Sequence, residues 1–242
     1  MANKNVTQSA PETQPAQSKH EAFILKYKNA IIGCVAVILI AVAGYFVYNN
    51  HKAGKLQEAQ TAMTNPIQFI ENGMSQIGDA TSLFGSKQFE QALNGDSTGT
   101  VMGFLKIADE YSSTKAGNLA NLYAGLCYAH MDQWENAVKY LEKFNGVDDI
   151  LISPAALGAL GNAYAHVNQQ DKAVSTLTKA AEQADNIMLS PIYYIQAGEI
   201  LESQGKKADA LKLYQKVKDM KSISQSSPYV EMIDEYIERV SE

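Results

Sequence analysis

Arginine, tryptophan and cysteine are scarce in this chain of 242 residues. Arg239 is the only arginine, Trp134 is the only tryptophan, and the cysteines are Cys34 and Cys127. Lysine and arginine together number 20 against 26 aspartates and glutamates, so the formal net charge is -6. Because nucleic-acid binding needs a basic face that neutralises phosphates, this balance argues against a nucleic-acid partner. Two cysteines are too few for a disulfide framework, and they neither require nor exclude an oxidising compartment.

Motifs of catalytic chemistry are also lacking. The sequence has no phosphate-binding glycine loop that ends in Lys-Ser/Thr, no nucleophile elbow and no His-Glu-x-x-His zinc helix. His130 and His166 lie 36 residues apart, but only Cys127 lies one turn from either, and no acidic residue stands at ligand spacing. We therefore predict no enzymatic activity, no catalytic residues, no cofactor and no metal site, with both histidines polar groove or surface residues.

The sequence does contain a pattern of small and large apolar residues that occurs three times between Ala116 and Val217. The repeated small residues are Gly125, Gly161 and Gly198, each followed at a fixed distance by Ala137, Ala173 and Ala210. Periods of this length are typical of arrays of helical hairpins. Glycine inside a helix costs roughly 1 kcal/mol relative to alanine. Its recurrence therefore predicts that a neighbouring helix passes too close for a side chain.

The ends of each unit agree with this period. Seven residues after each glycine come Asp132, Asn168 and Gly205, which favour the left-handed conformation that ends a helix. The pairs Ser153-Pro154, Ser190-Pro191 and Ser227-Pro228 predict serine caps followed by proline in the first turn. In the first unit, Ser112-Ser113-Thr114 can cap equally well. The whole pattern resembles the tetratricopeptide repeat, a two-helix unit of about 34 residues. This resemblance implies an all-α solenoid that binds other proteins.

An apolar run lies ahead of the repeats. Ala30 to Tyr48 contains no charged residue and, as a helix, would span roughly 28 Å, close to the hydrocarbon thickness of a bilayer. Tyr27, Tyr45 and Tyr48 stand at its ends, where interfacial aromatic residues belong. A cleaved signal peptide would have a shorter leader, and a lipoprotein signal would place the apolar run before Cys34 rather than after it. We predict an uncleaved transmembrane anchor.

The predicted organisation has four parts. These are a disordered cytoplasmic tail at 1–28, a transmembrane helix at 29–48, a linker at 49–65 and a repeat domain at 66–242. Within the linker we expect Asn65-Pro66 to interrupt any helix. The repeat domain divides into a degenerate leading unit at 66–112, repeats at about 114–149, 153–186 and 190–223, and a capping helix at 227–241.

The layout resembles the membrane-anchored tetratricopeptide proteins of Gram-negative bacteria. The resemblance rests on the polar leader, the single anchor and the run from Asp109 to Ala120 before the first repeat. Members of this group include the ancillary subunit of the Sec translocon, whose repeats lie in the periplasm. Three lysines before the anchor (Lys19, Lys26 and Lys28) against two after it (Lys52 and Lys55) favour the same orientation. The resemblance implies an inner-membrane scaffold with periplasmic repeats that links a membrane complex to chaperones or clients. A cytoplasmic scaffold for another membrane complex is the alternative.

The concave face is the predicted partner-binding groove. From the first helix of each unit we expect it to contain Leu119, Leu122, Leu126, His130, Asn162, His166, Ile192, Ile195 and Glu199. The alternative for the three leucines is that they pack against the leading unit. Tetratricopeptide domains that clamp a terminal carboxylate place Lys and Asn on this face; here only Asn162 matches, so we expect no carboxylate clamp. We expect protein partners of unknown identity, and the oligomeric state stays open.

Overall fold

The computed structural model describes residues 19–75, 82–146, 148–220 and 228–241, and every regular element within these ranges is an α-helix. The helices are α1 (Lys19–Ser75), α2 (Ser82–Asn94), α3 (Phe104–Glu110), α4 (Lys115–His130), α5 (Trp134–Leu141), α6 (Ile152–His166), α7 (Gln170–Ala184), α8 (Ser190–Ser203), α9 (Lys207–Lys218) and α10 (Pro228–Ser241). The chain divides into two compact units, Met1–Lys52 and Ala53–Glu242.

The first unit contains the amino-terminal part of α1. The predicted transmembrane helix at 29–48 falls within α1, but the side chains of residues 29–40 and 46–48 lie outside the described residues. In the portion of the chain that the structure describes, no helix has both the length and the apolar character needed to cross a bilayer. Because α1 begins at Lys19, it overlaps the end of the predicted disordered tail, whose residues 1–18 lie outside the described residues.

Helix α1 continues through Pro66, so the predicted break at Asn65-Pro66 is wrong. A proline inside a helix removes one hydrogen bond and costs about 3 kcal/mol. Here Pro66 is itself fully buried, and Ala59 and Met63 lie in a hydrophobic core on the same helix. Burial of this face offsets the cost of the proline, which a local sequence rule does not weigh.

Three helical hairpins correspond to the three copies of the repeat, and in each the two helices pack on each other: α4 with α5, α6 with α7, and α8 with α9. A Cβ atom added to Gly161 would lie 2.6 Å from Leu177 Cγ. The equivalent distances are 2.5 Å from Gly125 to Leu141 Cγ and 2.3 Å from Gly198 to Tyr214 Cε1. In every hairpin the second helix therefore passes where the glycine leaves space. The paired alanines, Ala137, Ala173 and Ala210, are all completely buried.

The turn within each hairpin has the conformation predicted from sequence. Asp132, Asn168 and Gly205 have φ angles of 57°, 61° and 73°, which places all three in the left-handed region. The prediction of a left-handed residue at this position is confirmed. In α4 the predicted cap is also present, since Thr114 Oγ1 accepts a hydrogen bond from the Gly117 amide at 3.0 Å.

The serine caps predicted for the later hairpins are wrong. Ser153 is buried inside α6, and Asp149 caps the helix instead by accepting hydrogen bonds from the amides of Leu151 and Ile152. Before α8, Asn186 accepts hydrogen bonds from the next two free amides, and Ser190 Oγ donates to the Ala181 carbonyl at 2.7 Å. The cap of α6 thus lies four residues earlier than expected, whereas Asn186 holds the turn that precedes α8. Ser227 lies outside the described residues.

Hydrophobic cores form where neighbouring hairpins meet. One joins α1 to α4 around Phe89, Phe104 and Ile107. The next joins α4 to α7 around Leu122 and Tyr164. The third joins α7 to α10 and includes Leu177, Tyr214, Ile233 and other buried residues. Helix α10 packs on α9 and closes this last core. Each core connects only successive elements of the chain, as in a solenoid.

Candidate functional site

The candidate site is a cleft between the second and third hairpins. Its volume is ≈ 530 Å³, and its lining residues are Trp134, Asn162, Ala165, His166, Gln196, Glu199, Ile200 and Ser203. Three residues predicted for the groove, Asn162, His166 and Glu199, line this cleft. They come from α6 and α8, the first helices of their hairpins, which present equivalent positions on one face.

One wall of the cleft is a stacked pair of rings. The rings of Trp134 and His166 lie 3.6 Å apart between centroids with an angle of 5° between their planes. Trp134 is the first residue of α5 and His166 the last residue of α6, so the stack joins two successive hairpins. Its flat aromatic surface offers a partner apolar contact at low entropic cost, because few torsions must be fixed.

The polar side chains of the cleft come mainly from α8. Glu199 Oε1 accepts a hydrogen bond from the Tyr236 hydroxyl at 2.7 Å, and this bond raises the pKa of Tyr236 above its usual value. Gln196 Oε1 is buried, and among the described residues no donor pairs with it. A buried acceptor without a donor costs free energy. With the amide of Asn162, the cleft can exchange hydrogen bonds with a peptide backbone.

Leu122 and Ile195 do not belong to this surface, so the prediction that they line the groove is wrong. Leu122 is 6 % exposed and lies in the core shared by α4 to α7, and Ile195 is 6 % exposed in the last core. The alternative that Leu122 packs against the leading unit is also wrong, because its core contains Ala137 and Ala156 rather than residues of that unit. Leu122 lies three residues after Leu119, on the same side of α4. The second hairpin covers it there, and the pattern within a single helix does not show this.

The remaining predicted groove residues differ in exposure. Leu119 and Leu126 are partly buried against the cores, and Ile192 is exposed. His130 stacks on Phe89 of α2, with ring centroids 4.7 Å apart, and burial lowers its pKa. Leu119, Leu126, His130 and Ile192 do not line the cleft around Trp134.

Sequence reasoning missed Gln196, Ser203 and the role of Trp134 as a wall of the cleft. The sequence contained a pattern that points to Gln196 and Ser203. Asn162 and His166 are predicted groove positions, and their counterparts one repeat later are Glu199 and Ser203. On one helix face, the residue four before Ser203 is Glu199, and the residue three before Glu199 is Gln196. The choice of Ile195 over Gln196 followed apolar character rather than the helical period.

The described residues offer little for catalysis. Among them, no group of three His, Cys, Asp or Glu side chains is placed to hold a metal ion. Burial raises the pKa of the Cys127 thiol to about 12, so it stays protonated and unreactive at neutral pH.

The family follows from a comparison with protein-family models. The model of the tetratricopeptide repeat-like domain matches residues 21–233 of this chain. The chain belongs to this tetratricopeptide repeat-like family. The family fold is typically a non-catalytic scaffold for protein–protein interaction, which agrees with a cleft that offers hydrogen bonds and aromatic surface. No curated protein sequence matches the chain.

Solved structures show the same fold. The chain is similar to the nearly identical TPR-like repeats of a Podosopora anserina protein described as a kinesin light chain, with a TM-score of 0.52 and 13% sequence identity. The match covers 76% of this chain and 85% of that one. A Q17M form of the same repeats matches with equal TM-score and identity, over 84% of its length. At this identity the similarity establishes the tetratricopeptide-like solenoid and nothing about partners.

Proposed function

We propose that this protein is a membrane-anchored scaffold that binds a protein partner in the cleft between its second and third hairpins. The observation that carries the proposal is the cleft itself. It combines the Trp134–His166 stack with the side-chain amides of Asn162 and Gln196. Aromatic surface and groups that can hydrogen-bond are what a bound peptide segment requires.

The anchor is the uncharged run at 30–48, and the repeats lie in the periplasm. Support comes from the length of the run, from the lysines that precede it and from the resemblance to anchored tetratricopeptide proteins of Gram-negative bacteria. By the same resemblance, the partner complex is an inner-membrane assembly of the Sec-translocon type, and the scaffold connects it to chaperones or clients. Tethering raises the effective concentration of the cleft near that complex, so each contact can be weak.

The orientation is tested by labelling an exposed cysteine. Ser112→Cys places a thiol on an exposed residue ahead of α4. A membrane-impermeant thiol reagent should label it in cells whose outer membrane alone is permeabilised. The unsubstituted chain is the control, because Cys127 is buried and unreactive. Labelling only after the inner membrane is lysed would place the repeats in the cytoplasm instead.

The cleft is tested by cross-linking in intact membranes. A photoreactive phenylalanine analogue at Ser203, inside the cleft, should cross-link a defined partner that mass spectrometry identifies. Asn162→Ala with Gln196→Ala should abolish this product by removing the hydrogen-bonding amides. The matched control carries the analogue at Lys139, an exposed position on α5 outside the cleft. Identical products from Ser203 and Lys139, or an unchanged product in the double variant, would contradict the proposed site.

A further inference from the structure

Two loops outside the cleft expose a group of large apolar side chains. Met188 is 68% exposed, Ile150 61% and Leu151 54%, and Ile152 and Ile187 are exposed as well. We refer to these five residues as the loop patch. The two loops are in direct contact, since Asn186 Nδ2 donates a hydrogen bond to the Ile150 carbonyl at 3.2 Å. Adjacent exposed apolar residues of this size mark interaction sites more often than isolated ones do.

Hydrogen bonds hold the loops in a shape that presents the patch. Asp149 accepts from the amides of Leu151 and Ile152 at 2.8 Å and 2.5 Å, and also bonds Ser153 Oγ. Asn186 accepts from the amides of Met188 and Leu189, both at 2.9 Å. Turning these segments inward would break the cap of α6 and the hydrogen-bonded turn before α8. The exposure of the patch is therefore a consequence of how both helices begin.

Only two of the three copies of the repeat have apolar residues at the positions of the loop patch. Residues 149–154 read Asp-Ile-Leu-Ile-Ser-Pro, and residues 186–191 read Asn-Ile-Met-Leu-Ser-Pro. The third copy, 223–228, reads Ile-Ser-Gln-Ser-Ser-Pro, with polar residues at the positions that are apolar in the other two. Because the third copy has polar residues there, the repeat pattern does not itself require apolar ones. The apolar side chains at 150–152 and 187–188 are a local feature of the second and third hairpins.

The two loops themselves carry only negative charges. Lys179 and Lys216 lie nearby on the flanking helices, and Lys216 is paired with Glu182. Within 145–152 and 185–189 the ionisable residues are Asp148, Asp149 and Asp185, with no lysine or arginine. None of the ion pairs among the described residues includes any of these three aspartates. An anionic lipid surface is repelled by such a rim, and so is a second copy of this chain with its net charge of -6. A cationic partner is attracted.

We propose that the loop patch docks a protein segment in which apolar side chains are accompanied by lysine or arginine. The apolar side chains cover Leu151, Met188 and their neighbours, and the basic ones pair with Asp148 and Asp185 at the rim. This surface is separate from the cleft around Trp134, so a partner can occupy one while the other is free. It gives the scaffold a second contact that selects for charge as well as for apolar surface.

A binding measurement with a synthetic peptide tests the proposal. The full chain is reconstituted in nanodiscs of zwitterionic phosphatidylcholine. Fluorescence anisotropy then follows a short labelled peptide of leucine and lysine in equal numbers, with empty nanodiscs subtracted. Leu151→Ser with Met188→Ser should weaken binding about tenfold or more, because each buried apolar side chain contributes an amount of that order. Asp148→Asn with Asp185→Asn should weaken it about three- to fivefold and reduce its dependence on salt.

Matched controls separate the patch from the rest of the surface. Met74→Ser removes an exposed apolar residue of α1, and Asp109→Asn with Glu135→Gln changes the net charge equally at exposed sites. Both should bind the peptide like the unsubstituted chain. Asn162→Ala with Gln196→Ala should also leave peptide binding intact, so a failure of the cleft is distinguishable from a failure of the patch.

Three results would overturn the proposal. The first is equal binding by the unsubstituted chain and the Leu151→Ser/Met188→Ser variant. The second is equally tight binding of a peptide with serine in place of leucine, which would mean that charge alone acts. The third is an unchanged peptide affinity combined with loss of self-association or of binding to anionic vesicles in that variant. This last result would identify the patch as a contact with a second copy or with a membrane.

Discussion

Single residues decide how closely the helices approach. Gly161 is placed where a Cβ atom would lie 2.6 Å from Leu177 Cγ, and Leu177 is completely buried. Because Leu177 is buried, its side chain cannot move into solvent to relieve this contact. The same relation at Gly125 and Gly198 shows that the small residue is a requirement of each hairpin rather than an accident of one.

Gly161→Ala should therefore destabilise the protein despite the higher helix propensity of alanine. We expect a loss of about 1–3 kcal/mol, the usual cost of overpacking a core. Thermal unfolding followed by circular dichroism measures it. Gly54→Ala is the matched control, since a Cβ at this helical position meets nothing within 4 Å and the change should be neutral or slightly stabilising. Equal melting temperatures for Gly161→Ala and the unsubstituted chain would refute the close approach of α6 and α7.

At the scale of elements, α10 shows how a terminal helix is held on the array. Arg239 Nε and Nη2 donate to the two carboxylate oxygens of Glu202 at 2.9 Å and 2.6 Å. Glu202 also accepts a hydrogen bond from Tyr214 at 2.5 Å. The bond from Arg239 is the main reason that the pKa of Glu202 lies below its ordinary value of 4.5. The carboxylate is mostly buried while the guanidinium is half exposed, so the pair joins α8 to α10 at the edge of the core.

Glu202→Gln should loosen α10 and lower stability by about 1–2 kcal/mol at neutral pH, since it removes a charge-assisted bidentate contact. A carboxylate with a lowered folded-state pKa contributes stability above its unfolded value near 4.5. That contribution is lost as the pH falls through the lowered folded-state value. The difference in melting temperature between Glu202→Gln and the unsubstituted chain should therefore shrink below about pH 4.5. A difference that stayed constant from pH 7 to pH 3 would contradict this assignment.

For the whole molecule, the arrangement of the cores predicts that stability is local. The core around Ile107 and Phe104 contains residues of α1 to α4, and the core around Tyr214 and Ile233 contains residues of α7 to α10. Among the described residues, no buried one belongs to both cores. In repeat arrays of this kind, each unit is stabilised by its neighbours alone.

Ile107→Ala should accordingly destabilise one end of the array. Truncating a fully buried isoleucine costs about 2–5 kcal/mol, and we expect amide hydrogen exchange to accelerate in α2, α3 and α4. Exchange in α8 and α9 should change much less. Ile233→Ala is the matched variant for the other end and should give the reverse pattern. Uniform acceleration across all helices in either variant would mean that the molecule unfolds as one cooperative unit.

The amino-acid sequence by itself determined the repeat. Glycine, alanine and left-handed turn residues recur with one period because every hairpin imposes the same local demands: a close helix approach at Gly161 and a positive φ at Asn168, for example. Such demands act on the residue itself and can be inferred without coordinates. The helical period places Asn162 and His166 on one face of α6, and the repeat places Glu199 of α8 at the position equivalent to Asn162. All three line one cleft in the structure.

Only the tertiary structure decided which apolar residues are exposed to solvent. Leu122 and Ile195 have the same character as Ile150 and Met188, yet the first two are buried and the last two are exposed. Burial depends on which neighbouring hairpin covers a face, and a single hairpin does not contain that information. The same holds for Pro66 and for the cap at Asp149. A core contributed by other helices keeps α1 helical through the proline, and the burial of Ser153 leaves the capping of α6 to a side chain four residues earlier.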